Sequence, residues 1–442
     1  MKTVRMLVIL VLVLVGLEGV ARSKTSTHVY GKGDPAVDVQ AVQDAVDNYD
    51  TVYLHGTFDF GVNVVEITRS VEILGEGTYA GGEYLTKIKG GGSGALSSVS
   101  PDNTNVKWAV RDIEFDGAGV AIRTVYSEGF EVTGCSISPT GGAGIALTGP
   151  YGVWGLNVTG SATIKNNYID LSGGALWGTG VNAMMIFADL EVVGNTVENF
   201  PRTGLWINSA GNIKITDNTI TAGPAKPTSY RNGILVGKWF LPPEVRGNIE
   251  VTNNTITTGG HEWDNGISVE DWYQEPRKVC MVEDNVITYV GDSPSGSGIL
   301  LLSRASFWTF KDNTINGGNH NLLAGIALYP AISGEPGPQA YNVFSNNHVF
   351  NANFDKGGVY VDSGALASYN EFIENELEDI GGGGFFVDGD CNWLLENKLE
   401  NVSGNGIILE GDYNMVRGNK FHNVGTPHIV DNGVDNVIED DD

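Results

Sequence analysis

One phrase recurs about ten times along the chain: an apolar residue, two mostly polar residues, Asn, a polar residue, an apolar residue. It reads IKNNYI at Asn167, VVGNTV at Asn195, ITDNTI at Asn218, VTNNTI at Asn254, VEDNVI at Asn285 and FKDNTI at Asn313. It continues as FSNNHV at Asn347, FIENEL at Asn375, LLENKL at Asn397 and VRGNKF at Asn419. Between copies lies a second phrase, Gly followed by three mainly apolar residues, as in GLWI at Gly204, GILV at Gly233, GISV at Gly266 and GIIL at Gly406. Self-similarity at a period of 20–50 residues is the mark of stacked-coil architectures.

The last copies are evenly spaced, with Asn375, Asn397 and Asn419 at steps of 22 residues. Each unit holds short segments of period-two alternation bounded by Gly and Asn, a strand signal. No stretch between them is long and periodic enough for a crossover helix. The spacing therefore predicts an all-β chain: a single-stranded right-handed parallel β-helix, a solenoid of about 12–14 coils. Stacked at a strand spacing of ~4.8 Å, it makes a rod about 55 Å long.

Alternation sets the faces. Ile407 and Leu409, one and three after Gly406, point inward, while Ile408 and Glu410 point outward. The Asn is expected to take the left-handed bend between strands and to hydrogen-bond to its equivalents above and below as a ladder. A second ladder follows at Asn342, Asn370, Asn392, Asn414 and Asn436. Cys135 and Ile113 stand at the Asn position of earlier coils. Cys135 and Cys280 read as small core residues, and Cys391 lies beside the second ladder.

On these phrases the chain, over roughly residues 30 to 440, resembles the pectate-lyase-like superfamily of right-handed parallel β-helix proteins. The segment from Asp34-Pro35 to Tyr49 looks like the amphipathic helix that caps such rods. Its Val42, Ala45, Val46 and Tyr49 are expected to face the first coil. Some of the motifs known from such proteins are missing: residues 204–330 hold no Gly-His-Gly and no paired Asp-Asp, as polygalacturonases have, and the chain has no Asp-Pro-His-Glu, as alginate epimerases have.

The first residues carry Lys2 and Arg5, then an apolar run from Met6 to Leu17, then Gly19-Val20-Ala21. That run is short for a membrane span and reads as a secretory signal over 1–21; left uncleaved, it becomes a tether. The expected organisation is signal 1–21, cap 22–60 and β-helix 61–442, giving a secreted or cell-surface monomer with no membrane insertion after cleavage. A net charge of −27 argues against nucleic acid and anionic membranes as partners.

Where the step exceeds 22, extra residues leave the coil. It reaches 36 between Asn218 and Asn254 and 31 between Asn254 and Asn285, in segments rich in Trp and charge. Insertions on one side of a repeat array map to its binding face. The sequence thus predicts a glycan cleft across coils 204–330, with Trp206, Asn208, Leu235, Ser268 and Glu270 on its floor and Tyr329 beyond. Lys238, Trp239, Trp263 and Trp272 stand in its walls. Aromatic faces suit the C–H faces of sugar rings, although the same rings can pack loops onto the rod.

The densest ionisable run is HEWDNGISVED. Hydrolysis of a glycosidic bond needs two carboxyl groups, and elimination needs a base with a positive group beside the uronate. Glu270, Asp264, Asp271, His261 and Arg231 are the candidate catalytic residues. The protein is read as binding a polysaccharide or surface glycan and, in its enzymatic version, cleaving it as a glycosidase or lyase; the alternative is a non-catalytic surface scaffold or adhesin. Asp362, Asp388 and Glu410, each four after its Gly, should form an outward column about 5 Å apart, a spacing that suits Ca²⁺, or else a hydrated acidic stripe.

Overall fold

The computed structural model describes residues 25–78, 82–148, 158–175, 178–209, 211–224, 230–238, 247–271, 279–330, 338–439 and 441. The expected signal 1–21 lies outside them. Parallel pairing begins with Ser26–Tyr30 against Thr51–Gly61 and passes from coil to coil to Val437–Glu439. Each coil contributes three strand positions, each paired in register with its equivalent one coil away. The all-β parallel solenoid and its N-terminal helix stand as expected.

The helix, Pro35–Asn48, is set by its first residues: Asp34 accepts a bond from the Ala36 N–H (3.0 Å), and Pro35 opens the first turn. Val42, Ala45 and Val46 are buried against the rod, whereas Tyr49 is 37% exposed and does not share their face. Asp38 is buried with them. Its carboxylate accepts from the N–H groups of Lys32 (2.8 Å), Gly33 (2.9 Å) and Asp59 (2.8 Å), which compensates its removal from water.

Inside the rod, inward residues stack at the coil repeat. Phe310, Phe344 and Phe372 lie ring over ring at 4.7 and 4.8 Å. Both ladders form. The Asn285 amide donates to Asn313 Oδ1 (2.9 Å) and to the Val251 carbonyl (2.8 Å), and its own oxygen accepts from the Asn254 amide (2.9 Å). In the second, Asn342 donates to Asn370 and Asn370 to Asn392, at 2.9 and 3.0 Å. Cys135 holds a rung, its N–H donating to Asn167 Oδ1 (3.0 Å).

One expectation is corrected. The ladder Asn does not take the left-handed bend; the residue before it does. Asn166, Asp217, Asn253, Asp284, Asp312 and Asn346 carry φ between 52° and 57°. The bend turns the chain so that the following Asn points inward along the rod. In the second ladder the same position holds Tyr341, Tyr369, Cys391 and Tyr413, with φ of 56–59°. The Gly of the second phrase has a different reason. A Cβ on Gly233 would lie 2.5 Å from Ile256 Cγ2 and 2.7 Å from the Gly266 carbonyl, so only Gly lets the strand close on the core there.

Candidate functional site

Four strands of the Gly phrase lie side by side: Thr203–Ser209, Arg231–Lys238, Asp264–Asp271 and Ser293–Ser303. Their outward face holds a pocket of about 200 Å³. Trp206, Leu235 and Ser268 are consecutive register neighbours along it, and Glu270 stands one alternation further on. The Arg202 guanidinium lies 4.7 Å from the centre of the Trp206 ring. Ser303 Oγ donates to Glu270 Oε1 at 3.2 Å. Leu300 and Leu302 complete the apolar wall.

The polar floor comes from residues that the sequence reading passed over. Thr203, Asn232 and Asn265 each immediately precede the Gly of their coil and stand beside one another in register. Asn232 Oδ1 accepts from Asn265 Nδ2 (3.1 Å) and Ser268 Oγ (2.6 Å). The signal was present: TGLW, NGIL and NGIS all place a polar residue before the glycine. Tyr230 joins the lining, and Trp263 packs on it at 5.1 Å. Burial raises the Tyr230 hydroxyl above its ordinary pKa, and Tyr329 adds to the shift.

Three candidate catalytic residues are not where chemistry on a substrate needs them. Arg231 and Asp264 are 1% and 0% exposed and bind each other. Arg231 Nε donates to Asp264 Oδ1 (2.7 Å), and its other nitrogens reach the carbonyls of Gly223 and Gly259, both at 2.8 Å. They are a buried structural pair, because alternation turns them away from the face that Tyr230, Asn232 and Asn265 present. Asp271 is 2% exposed, again opposite in parity to Glu270. His261 is half-buried, its backbone N–H donating to Asp264 Oδ2 (3.1 Å). Glu270 is thus the carboxylate that the described residues bring to the pocket.

Of the remaining wall and floor residues, Asn208 is buried beside Gly237 and outside the pocket lining. Tyr329 packs on Tyr360 at 6.3 Å. Lys238 ends its strand, while Trp239 and Trp272 lie outside the described residues.

The carboxylates of the expected column make bonds of their own. Asp362 Oδ1 accepts the Gly364 N–H (2.7 Å), capping the turn at Ser363–Ala365, and its other oxygen accepts the Tyr360 hydroxyl. Glu410 accepts from Asn432 Nδ2 (2.8 Å). Among the described residues no three His, Cys, Asp or Glu side chains converge as metal ligands. Two of the three carboxylates expected in a Ca²⁺ column, Asp362 and Glu410, are thus already engaged by hydrogen bonds within the protein.

A family profile described as the right-handed beta helix region matches residues 97–277, 265–421 and 357–442. The chain belongs to that family. Solved structures share its outline at low identity. The mannuronan C-5 epimerase A-module of Azotobacter vinelandii is 13% identical with a TM-score of 0.42, covering 93% of this chain and 97% of that one. The family 28 exopolygalacturonase of Yersinia enterocolitica is 12% identical with a TM-score of 0.32, covering 93% and 78%. The Streptococcus pneumoniae surface adhesin PfbA is 11% identical with a TM-score of 0.24, covering 94% and 92%. No curated protein matches the chain. No helix among the described residues is long and apolar enough to cross a membrane.

Proposed function

We propose that this β-helix protein is exported and binds a polysaccharide in the pocket over strands Thr203–Ser209 to Ser293–Ser303. The observation that carries this reading is the pocket's composition: a Trp206 wall, a floor of Thr203, Asn232, Asn265 and Ser268, and Glu270 at one side. Flat aromatic surface beside converging hydrogen-bond groups is the chemistry that a ring bearing many hydroxyls requires. Glu270 is well placed to accept from sugar hydroxyls, and charged acceptors form the stronger bonds.

Hydrolysis would need a second acid across the scissile bond from Glu270, and the other two candidate carboxylates, Asp264 and Asp271, are both buried. The test is a glycan array with the wild-type protein, followed by reducing-sugar release and absorbance at 235 nm on every polysaccharide that binds. Binding lost in Trp206→Ala at unchanged melting temperature supports the reading. An array with no signal from folded protein sinks it, and turnover on any binder would move the protein into the enzymes.

A further inference from the structure

Ser268 is the smallest side chain in the column of Trp206, Leu235, Ser268 and Leu300, which contributes one residue per coil to the pocket. It stands between two leucines. Strands of neighbouring coils lie ~4.8 Å apart, so Leu235 and Leu300 flank a gap two coil steps wide with Ser268 at its base. Both leucines line the pocket, 8% and 4% exposed, with Leu302 beside them. That is more aliphatic surface than the hydroxyls of a plain sugar can use.

Along the strand, the two sides of Ser268 differ in chemistry. Two residues on stands an acceptor, Glu270. Its Oε1 takes the Ser303 hydroxyl, and a carboxylate has about four lone-pair sites. On the other side stand donors. Asn232 Oδ1 accepts from Asn265 Nδ2 (3.1 Å) and Ser268 Oγ (2.6 Å), while no group among the described residues accepts from Asn232 Nδ2. Its register neighbour Thr203 is 1% exposed and lines the pocket, with an Oγ1 that has no hydrogen-bond partner. Buried polar groups left without partners are costly, and a ligand oxygen reached by both would remove the cost.

Resting on the polysaccharide reading above, we infer that the sugar this pocket selects is an N-acetylhexosamine, held by its acetamido group over Ser268. A trans amide points its N–H and its C=O in opposite directions. The N–H donates to Glu270, and the carbonyl accepts from Asn232 Nδ2 and Thr203 Oγ1. The methyl enters the gap between Leu235 and Leu300, and the sugar ring lies on Trp206. A plain hexose puts a hydroxyl between the leucines instead. An amino sugar pairs with Glu270 but leaves the gap and the donors unfilled. A uronic or sialic acid brings a carboxylate against Glu270 in a chain of net charge −27.

A glycan array followed by calorimetry tests this. Each binder is titrated beside the same oligosaccharide after chemical N-deacetylation and beside its hydroxyl analogue; diacetylchitobiose, chitosan disaccharide and cellobiose make one such set. Glycans bearing N-acetylhexosamine are expected to bind, with affinity at least about tenfold weaker in both comparison sugars, as the loss of a buried methyl implies. Binders that lack the acetamido group, that keep their affinity after deacetylation, or that are all sialylated overturn the inference and leave the polysaccharide reading standing. An array with no signal from folded protein sinks both. Ser268→Leu fills the gap and is expected to abolish the preference for acetamido over hydroxyl at unchanged melting temperature. A preference that survives in folded Ser268→Leu protein removes the seat. Should that variant unfold, Leu300→Ser takes away one wall without adding volume, and the same comparison decides.

Discussion

Arg231 and Asp264 face each other in a two-point ion pair from which solvent is shut out, their side chains 1% and 0% exposed. Tyr230 and Asn232 flank the first, and Trp263 and Asn265 flank the second, so the internal pair anchors the strand ends that carry the pocket. Breaking a buried pair from one side leaves the other charge uncompensated, at about 3–5 kcal/mol. Asp264→Asn is therefore expected to lower unfolding free energy by about that amount in urea denaturation. The double variant Arg231→Met with Asp264→Leu should recover most of it. Equal losses in the single and double variants would show that the charges themselves matter little.

The Asn ladder predicts a contrast between two asparagines. Asn285→Ala removes the acceptor of the Asn254 amide and backbone N–H, and the donor to the Val251 carbonyl. Each orphaned buried group costs about 1–3 kcal/mol, so the total should reach about 3 kcal/mol or more. Asn432→Ala removes one bond to Glu410 at an exposed position and should stay within about 0.5 kcal/mol. Scanning calorimetry of both variants checks the difference.

Burial pushes the Cys135 thiol up to about 12, with backbone N–H groups opposing the shift. The folded state thus holds a proton that the unfolded thiol gives up near its ordinary value of 9.0. The contribution to stability is present in full below pH 9 and is lost as pH rises toward 12. Cys135→Ala should flatten that stretch of the stability profile. The thiolate is the reactive form, so iodoacetamide at pH 8 should label the half-buried Cys391 and spare Cys135 and Cys280 until the rod unfolds. Mass spectrometry of the labelled protein reads the outcome.

Tyr413 holds φ 56° while 59% exposed. A left-handed backbone costs an ordinary L-residue about 1–2 kcal/mol, and Asn tolerates it better. Tyr413→Asn should stabilise the protein by about 1 kcal/mol in thermal denaturation. Destabilisation would mean that the ring makes up for the strain through its packing.

Much of this was legible in the chain. The 22-residue step placed the parallel strands, and both ladders run through the asparagines that the spacing selects. Alternation from Gly204, Gly233 and Gly266 put Trp206, Leu235, Ser268 and Glu270 on one outward face, where the pocket lies. The residues just before the glycine were not read from the alternation. Asn232 and Asn265 line the pocket, and the Gly that follows each packs tightly on Ile256 or Ile287. The turn bond of Asp362 was not legible either, because it depends on the local path of the chain at Ser363–Ala365.

The sequence by itself determined the coil, its period and the direction of the residues that follow each Gly, because these follow from local alternation repeated at fixed spacing. Only the tertiary structure decided which charges meet water. Arg231, Asp264 and Glu270 are equally polar in the chain. Two of them are buried against each other and one lines the pocket, since burial depends on how neighbouring coils cover a side chain, and that is a property of the stack.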